Sequence, residues 1–180
     1  SGPHVVSSAH FKNHKIDWDI CPHVAQKRYD ADENIQLAEN DILLMKHGAA
    51  MGKLAFVDHL PGAACLNSHL LLLRPMVLGG QIAYEPKFMF YFLLCDSFQN
   101  YVQVNGTGAT FNGISQEAVG NFKICLPPRS EQCAMVRFLD HTDRRIRRYI
   151  RAKQKLIKAL EEQKQAIIHR AVTRGLDPNV

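Results

Sequence analysis

With 180 residues, 46% of them hydrophobic and 22% charged, the chain is long enough to bury one good core and too apolar to be disordered throughout. No apolar run approaches the roughly 20 residues of a membrane helix, and no basic segment followed by an apolar stretch opens the chain, which therefore reads as cytoplasmic. The net charge of +5 is unevenly held: residues 129–174 carry 13 Lys and Arg against 5 Asp and Glu, and the remainder carries 9 against 12.

In chain order, Ser1-Gly2-Pro3 with no leading Met reads as a cloning remnant. Lys12, His14 and Lys15 form one local basic patch, and Lys46, His47 and Lys53 a second, in a near-neutral first part. Residues 41–46 read as a strand, 47–52 as a loop and 53–57 as the next strand. Pro61-Gly62 then marks a turn before two apolar runs, 64–66 and 69–73, the second a four-leucine run expected to be fully buried. Pro86 suits the first position of a helix over 85–102, whose Phe88, Tyr91, Phe92, Leu94, Phe98, Tyr101 and Val102 recur at helical spacing and read as core. Asn105-Gly106 supplies the stop. Ser115 caps one helical turn through Val119, and 121–126 reads as a further strand. The short apolar runs and frequent turns predict a compact α+β or mainly β unit over residues 1–128.

Leu126-Pro127-Pro128-Arg129-Ser130-Glu131-Gln132 changes the pattern. The proline pair disfavours helix before it, while Ser130 offers an N-cap hydroxyl and Glu131 a first-turn carboxylate. No Gly or Pro follows until Gly175, so residues 129–180 read as a separate unit dominated by one helix. Val136, Leu139, Ile146, Ile150, Ile157, Leu160, Ile167 and Ala171 advance in steps of three, four or their sum, a heptad seam interrupted by Asp143, Lys153 and Lys164. A helix over 131–173 would be about 65 Å long, too long to pack on one small domain, so the seam is expected to meet another helix. The arginine block from Arg144 to Arg151 suits phosphate or an acidic protein; a solvated helical face is the plain alternative.

Catalytic and metal motifs do not emerge from spacing. Residues 48–54 resemble a P-loop only superficially, because three residues rather than four separate the glycines and Leu54 stands where a Ser or Thr should reach magnesium. The glycine-rich run over 105–113 follows a helix and lacks the strand-turn-helix setting of a dinucleotide site. It can still present Thr107, Thr110 and Asn112 to DNA, or simply be a well-made surface loop. Five cysteines, odd in number and without a C-x-x-C pair, fit reduced thiols; a zinc site drawn from Cys21, His23 and distant partners lacks the close ligand pairs such sites use. H-E-x-x-H and G-x-S-x-G are missing, and no catalytic residue or metal ligand is assigned.

From GTGATFNGISQEAVGNFKICLPPRSEQ onward into the long helix, the chain resembles the end of a target-recognition domain and the following spacer helix in specificity subunits of type I restriction-modification systems. Gly108 to Thr110, Ile114-Ser115, Ile124 to Pro128 and Glu131-Gln132 carry the resemblance in order. Asp140, Ile157, Leu160, Ile167 and Ala171-Val172-Thr173 continue it. Upstream, NDILLMKHGAAMGKLAFV and the segment from Asn67 to Pro75 are similar to the middle strands of such a domain. The chain departs from the family pattern in two ways. It holds one recognition domain and one helix where the family usually has two of each, and it lacks the usual opening segment, which reads as a half-length subunit or a fragment.

The resemblance implies an α+β fold, a mainly β target-recognition domain followed by a long coiled-coil-forming helix. It implies a non-catalytic subunit that binds double-stranded DNA at a split target and directs a methyltransferase subunit and a restriction subunit to it. S-adenosylmethionine would then be the cofactor of the methyltransferase subunit, with none on this chain. Base and backbone contacts are expected from Lys46, His47, Lys53, Asn67, Thr107, Thr110 and Asn112, side chains that suit groove edges and phosphates. Pairing into a homodimer is expected through Val136, Leu139, Ile146, Ile150, Ile157, Leu160 and Ile167. The rival reading is a helical scaffold that pairs through its coiled coil without reading DNA.

Overall fold

Ile42-Leu43-Leu44-Met45 has no polar residue because both faces of its strand are covered. In the computed structural model, which describes residues 2–107 and 113–175, this strand (β4, Ile42–Met45) is central in an antiparallel sheet, flanked by β5 (Leu54–Phe56) and β7 (Leu70–Leu73). Alternation then sorts each strand between two cores. Ile42, Leu44, Leu54, Phe56 and Leu71 face one, and Leu43, Ala55, Val57 and Leu70 face the other.

The first core is roofed by α2 (Pro86–Leu93) and α3 (Asp96–Asn105), through Met89, Phe90, Leu93, Phe98 and Val102. Pro86 opens α2 as expected. The single helix expected over 85–102 is broken at Cys95, which adopts an extended conformation with φ −69° and ψ 151°. Gln99 Nε2 caps the freed Leu93 carbonyl at 2.8 Å, so the break leaves that acceptor satisfied. The second core is covered by the N-terminal segment, through Val6, Phe11, Ile16, Cys21 and Leu37. That segment contains β1 (His4–Val6), β2 (Phe11–Lys12), β3 (Lys15–Ile16) and a short helix, α1 (Gln26–Asp30). β2 pairs with β3, and β1 runs parallel to β6 (Ala64–Leu66). Gly2 and Pro3 are packed: the Pro3 carbonyl accepts the Val24 N–H at 2.9 Å, and a Cβ on Gly2 would lie 2.1 Å from the Val24 oxygen.

Beyond β7 a hairpin, β8 (Val77–Leu78) and β9 (Gln81–Ile82), leads into α2. Asp41, wholly buried, accepts two hydrogen bonds from Arg74, at 2.9 Å from Nε and 2.7 Å from Nη2, and one from the Ala38 N–H at 2.7 Å. This fork ties the start of β4 to the end of β7. The carboxylate in turn holds the Arg74 guanidinium above its ordinary pKa by hydrogen bonding, against the effect of burial.

Ser115 caps α4 (Gln116–Gly120), its Oγ accepting the Ala118 N–H at 3.0 Å, as expected. The strand expected over 121–126 is not formed. Phe122 and Ile124 do pack on the first core, so the alternation is real, but the segment joins no sheet. The long helix, α5 (Arg129–Arg174), begins before the expected cap: the Pro128 carbonyl accepts the Gln132 N–H at 3.1 Å, which places Ser130 inside the first turn. Glu131 is the first-turn acid, as expected. Gln132 is 3% exposed yet fully used, its Nε2 donating to the Pro127 carbonyl and its Oε1 accepting the Glu85 N–H, both at 2.8 Å.

The chain divides into two compact units, Ser1–Val136 and Arg137–Val180. All five cysteines are free thiols. Among the described residues no helix is long and apolar enough to cross a membrane, and no group of three or more His, Cys, Asp or Glu could hold a metal ion.

Candidate nucleic-acid interface

Where β4 ends, its backbone is taken up by two neighbouring segments. The Lys46 N–H donates to the His69 carbonyl at 3.1 Å, and the Lys46 carbonyl accepts the Ile114 N–H at 2.9 Å. His47 forms an isolated antiparallel bridge with Gly113. Gly113 also exchanges two hydrogen bonds with Thr107, 2.9 and 3.0 Å long. This crowding requires glycine: a Cβ at Gly113 would sit 2.3 Å from His47 Nδ1. Across the cluster the His47 and His69 rings meet edge to face, 6.2 Å between centroids.

The loop after His47 is fixed rather than free. Gly48 and Gly52 hold positive φ of 77° and 91°, conformations that favour glycine. Helix α3 grips the turn through Gln99 Nε2 to the Gly52 carbonyl and Gln103 Nε2 to the Met51 carbonyl, both 3.2 Å. Met51 is buried beneath, close enough that a Cβ on Gly106 would lie 2.7 Å from its Cε. The loop that superficially resembles a P-loop is thus a turn braced by a helix.

Lys46, His47 and Thr107 therefore come together at one end of the β5-β4-β7 sheet. Asn67 joins them through the turn before β7, its Oδ1 accepting the His69 N–H at 3.2 Å. Lys53 lies apart from this group, its Nζ 3.5 Å from the Ser8 carbonyl and 5.8 Å from the Phe11 ring centroid. Thr110 and Asn112 lie outside the described residues. Sequence reading missed His69, treating it as the first residue of a strand; the Asn67-Ser68-His69 turn signal was the available clue. The cluster offers an ammonium, two imidazoles and a hydroxyl on a rigid base, groups that bond to phosphates and to base edges in a groove.

The other expected patch is neutralised. Lys12 pairs with Asp17 at 3.2 Å, and Lys15 pairs with Asp58, which also accepts from His59. Burial alone would raise the Asp58 pKa, but the hydrogen bonds from Lys15 and His59 outweigh it and bring the carboxyl below its usual range. Burial and the nearby Asp17 carboxylate push the Cys21 thiol up to about 11.

On α5 the seam residues are solvent-exposed, from 37% at Leu139 to 60% at Ile167, with Ile146, Ile150, Ile157 and Leu160 between. Val136 differs from the expected seam. It closes the first unit and is buried, so the open stripe begins at Leu139. Asp143, on the same seam, is bonded to Arg147 at 2.6 Å.

No curated protein matches the chain. Among solved structures, a chain from one described as the structural basis underlying complex assembly and conformational transition of the type I R-M system is similar, with 21% identity and a TM-score of 0.73. The match covers 98% of this chain and 40% of that one, and at this identity it establishes the fold: small sheets and short helices followed by one long helix. The model of the type I restriction modification DNA specificity domain matches residues 5–164, through both units described above, and the chain belongs to that family.

Proposed function

We propose that this chain reads one part of a split duplex DNA target for a type I restriction-modification complex, and that the cluster around Lys46, His47, His69 and Thr107 contributes to the reading. The observation that carries the reading is the family match over residues 5–164 together with the convergence of these groups on one braced sheet end. Lys53, Asn67, Thr110 and Asn112 remain assigned as further contacts. The long helix acts as a ruler. If two copies pair through Leu139 to Ile167, twofold symmetry makes the target an inverted repeat with a spacer set by helix length. The chemistry belongs to partners: a methyltransferase subunit carrying S-adenosylmethionine modifies adenine, and a restriction subunit joins it to cut unmodified DNA.

Selection from randomised duplex DNA, with the chain and its methyltransferase subunit together, tests the proposal. Recovery of a split inverted repeat supports a symmetric dimer, and a single half-site supports one working reader. If no sequence is enriched while the chain still joins its partner, DNA reading is abandoned and the chain is a helical docking scaffold.

A further inference from the structure

The open seam and the sheet-end cluster leave the most concentrated charge of the molecule unused. Arg137, Arg144, Arg145, Arg148, Arg151 and Lys155 are all exposed on α5. At 100° per residue they fall within an arc of about 120° on the side of the helix away from the seam. Between Arg137 and Lys155 that arc otherwise holds only His141 and Ala152. The only carboxylates between Glu131 and Glu161 are Asp140 and Asp143, both outside the arc, and Asp143 is bonded to Arg147. The six cations therefore form a positive stripe about 27 Å long, bordered on one side by Asp140, which lies three residues from Arg137 and four from Arg144.

We propose that this outer face of α5 is a second DNA contact, which holds duplex phosphates away from the bases being read. The inference rests on the DNA-reading function proposed above and adds a site to it. Duplex DNA is the occupant the chemistry favours. Its phosphates present a charge every ~1.7 Å of axis, so a stripe of this length finds several within reach wherever it lies along the backbone. Five of the six residues are arginine, whose planar fork bonds phosphate oxygens in pairs. A protein interface needs buried apolar or aromatic anchors at its centre, and here the large apolar side chains, Phe138 and Tyr149, stand at the border of the arc while its centre is held by cations. The contact would be blind to sequence, adding affinity and salt dependence while the sheet-end cluster supplies preference.

The test compares the full chain with a variant carrying Arg144→Gln, Arg145→Gln, Arg148→Gln and Arg151→Gln, which keeps the seam and the helix propensity. Binding to duplex DNA is measured from low to moderate salt, for a selected target and for an unrelated sequence. The slope of log affinity against log salt should shrink by about three to four units, at about 0.9 per lost phosphate contact, and the ratio between the two DNAs should stay the same. An unchanged slope overturns the inference, as does loss of methyltransferase binding with the slope intact, which would make the stripe a protein surface. If the unaltered chain shows the stripe-dependent slope but no sequence preference, the recognition proposal fails and this one stands. A readout on the unaltered chain guards against misfolding of the variant: DNA should shield Lys155, but not Lys27 on α1, from acetylation at low salt. Equal labelling of Lys155 with and without DNA overturns the inference.

Discussion

Replacing Gln132 by Met removes the polar end of a buried side chain at nearly constant volume. In the native chain that end satisfies the Glu85 N–H and the Pro127 carbonyl, each over 2.8 Å. Leaving a buried donor or acceptor unpaired costs about 1–3 kcal/mol. Both partners are only partly buried, so water recovers some of the loss and the low end applies, about 1 kcal/mol each and about 2 kcal/mol in all. Urea unfolding followed by circular dichroism at 222 nm and by the fluorescence of Trp18 separates the two units, since α5 dominates the first signal and the only tryptophan lies in the domain. The fluorescence midpoint should fall by about 1 M for a urea slope of about 2 kcal/mol per molar, with the slope itself unchanged. Gln132→Ala should cost more, because it adds a cavity. A Met variant within about 0.5 kcal/mol of the parent would refute the reasoning, showing that Gln132 contributes shape rather than hydrogen bonds.

Gly113→Ala should force His47 from its place and destabilise the domain by about 1–3 kcal/mol, as overpacking does, with weaker DNA binding in the same preparation; unchanged thermal unfolding and affinity would remove Gly113 from the site. Arg74→Met should cost about 3 kcal/mol by stranding the buried Asp41 carboxylate, and adding Asp41→Asn should restore part of that loss in a double-mutant cycle. Strictly additive effects of these two changes would contradict the pairing. Thiol labelling at pH 8 should modify Cys95 and Cys125 rapidly and leave Cys21 untouched, because the latter is buried and its pKa is raised to about 11. Mass mapping that finds Cys21 labelled at a comparable rate in the folded chain would contradict its packing.

Local signals were legible where the chain obeys one rule at a time. The runs at β4, β5, β6 and β7 were readable because their flanking turns are explicit, and Pro86 and Ser115 announced their helices. The break at Cys95 was hidden because Tyr91, Leu94 and Phe98 keep helical spacing across it while contacts from Gln99 make the interruption affordable. Residues 121–126 misled for the opposite reason: their alternation reports a half-buried segment, but a strand also needs a partner edge, which alternation does not show. The Gly113 crossing and the His47–His69 contact arise between residues far apart in sequence, so no local window contains them. Along the helix, spacing could not tell that Val136 is buried in the first unit while Leu139 to Ile167 are exposed.

The parallel pairing of β1 with β6 also sets an order of assembly. His4 meets Ala64, so sixty residues separate the first strand from its β6 partner, whereas its other edge bonds to Pro22 and Val24 nearby in sequence. Contacts of such long separation close late, after local hairpins have formed. The β4–β5 hairpin and α5, whose bonds are nearly all local, can form early, while Val6 waits exposed for the groove that Leu66 and Leu37 complete. The N-terminal segment is therefore the last piece of the domain to settle and the first expected to lift when it is strained, which makes it the place where a protease would first betray a weakened variant.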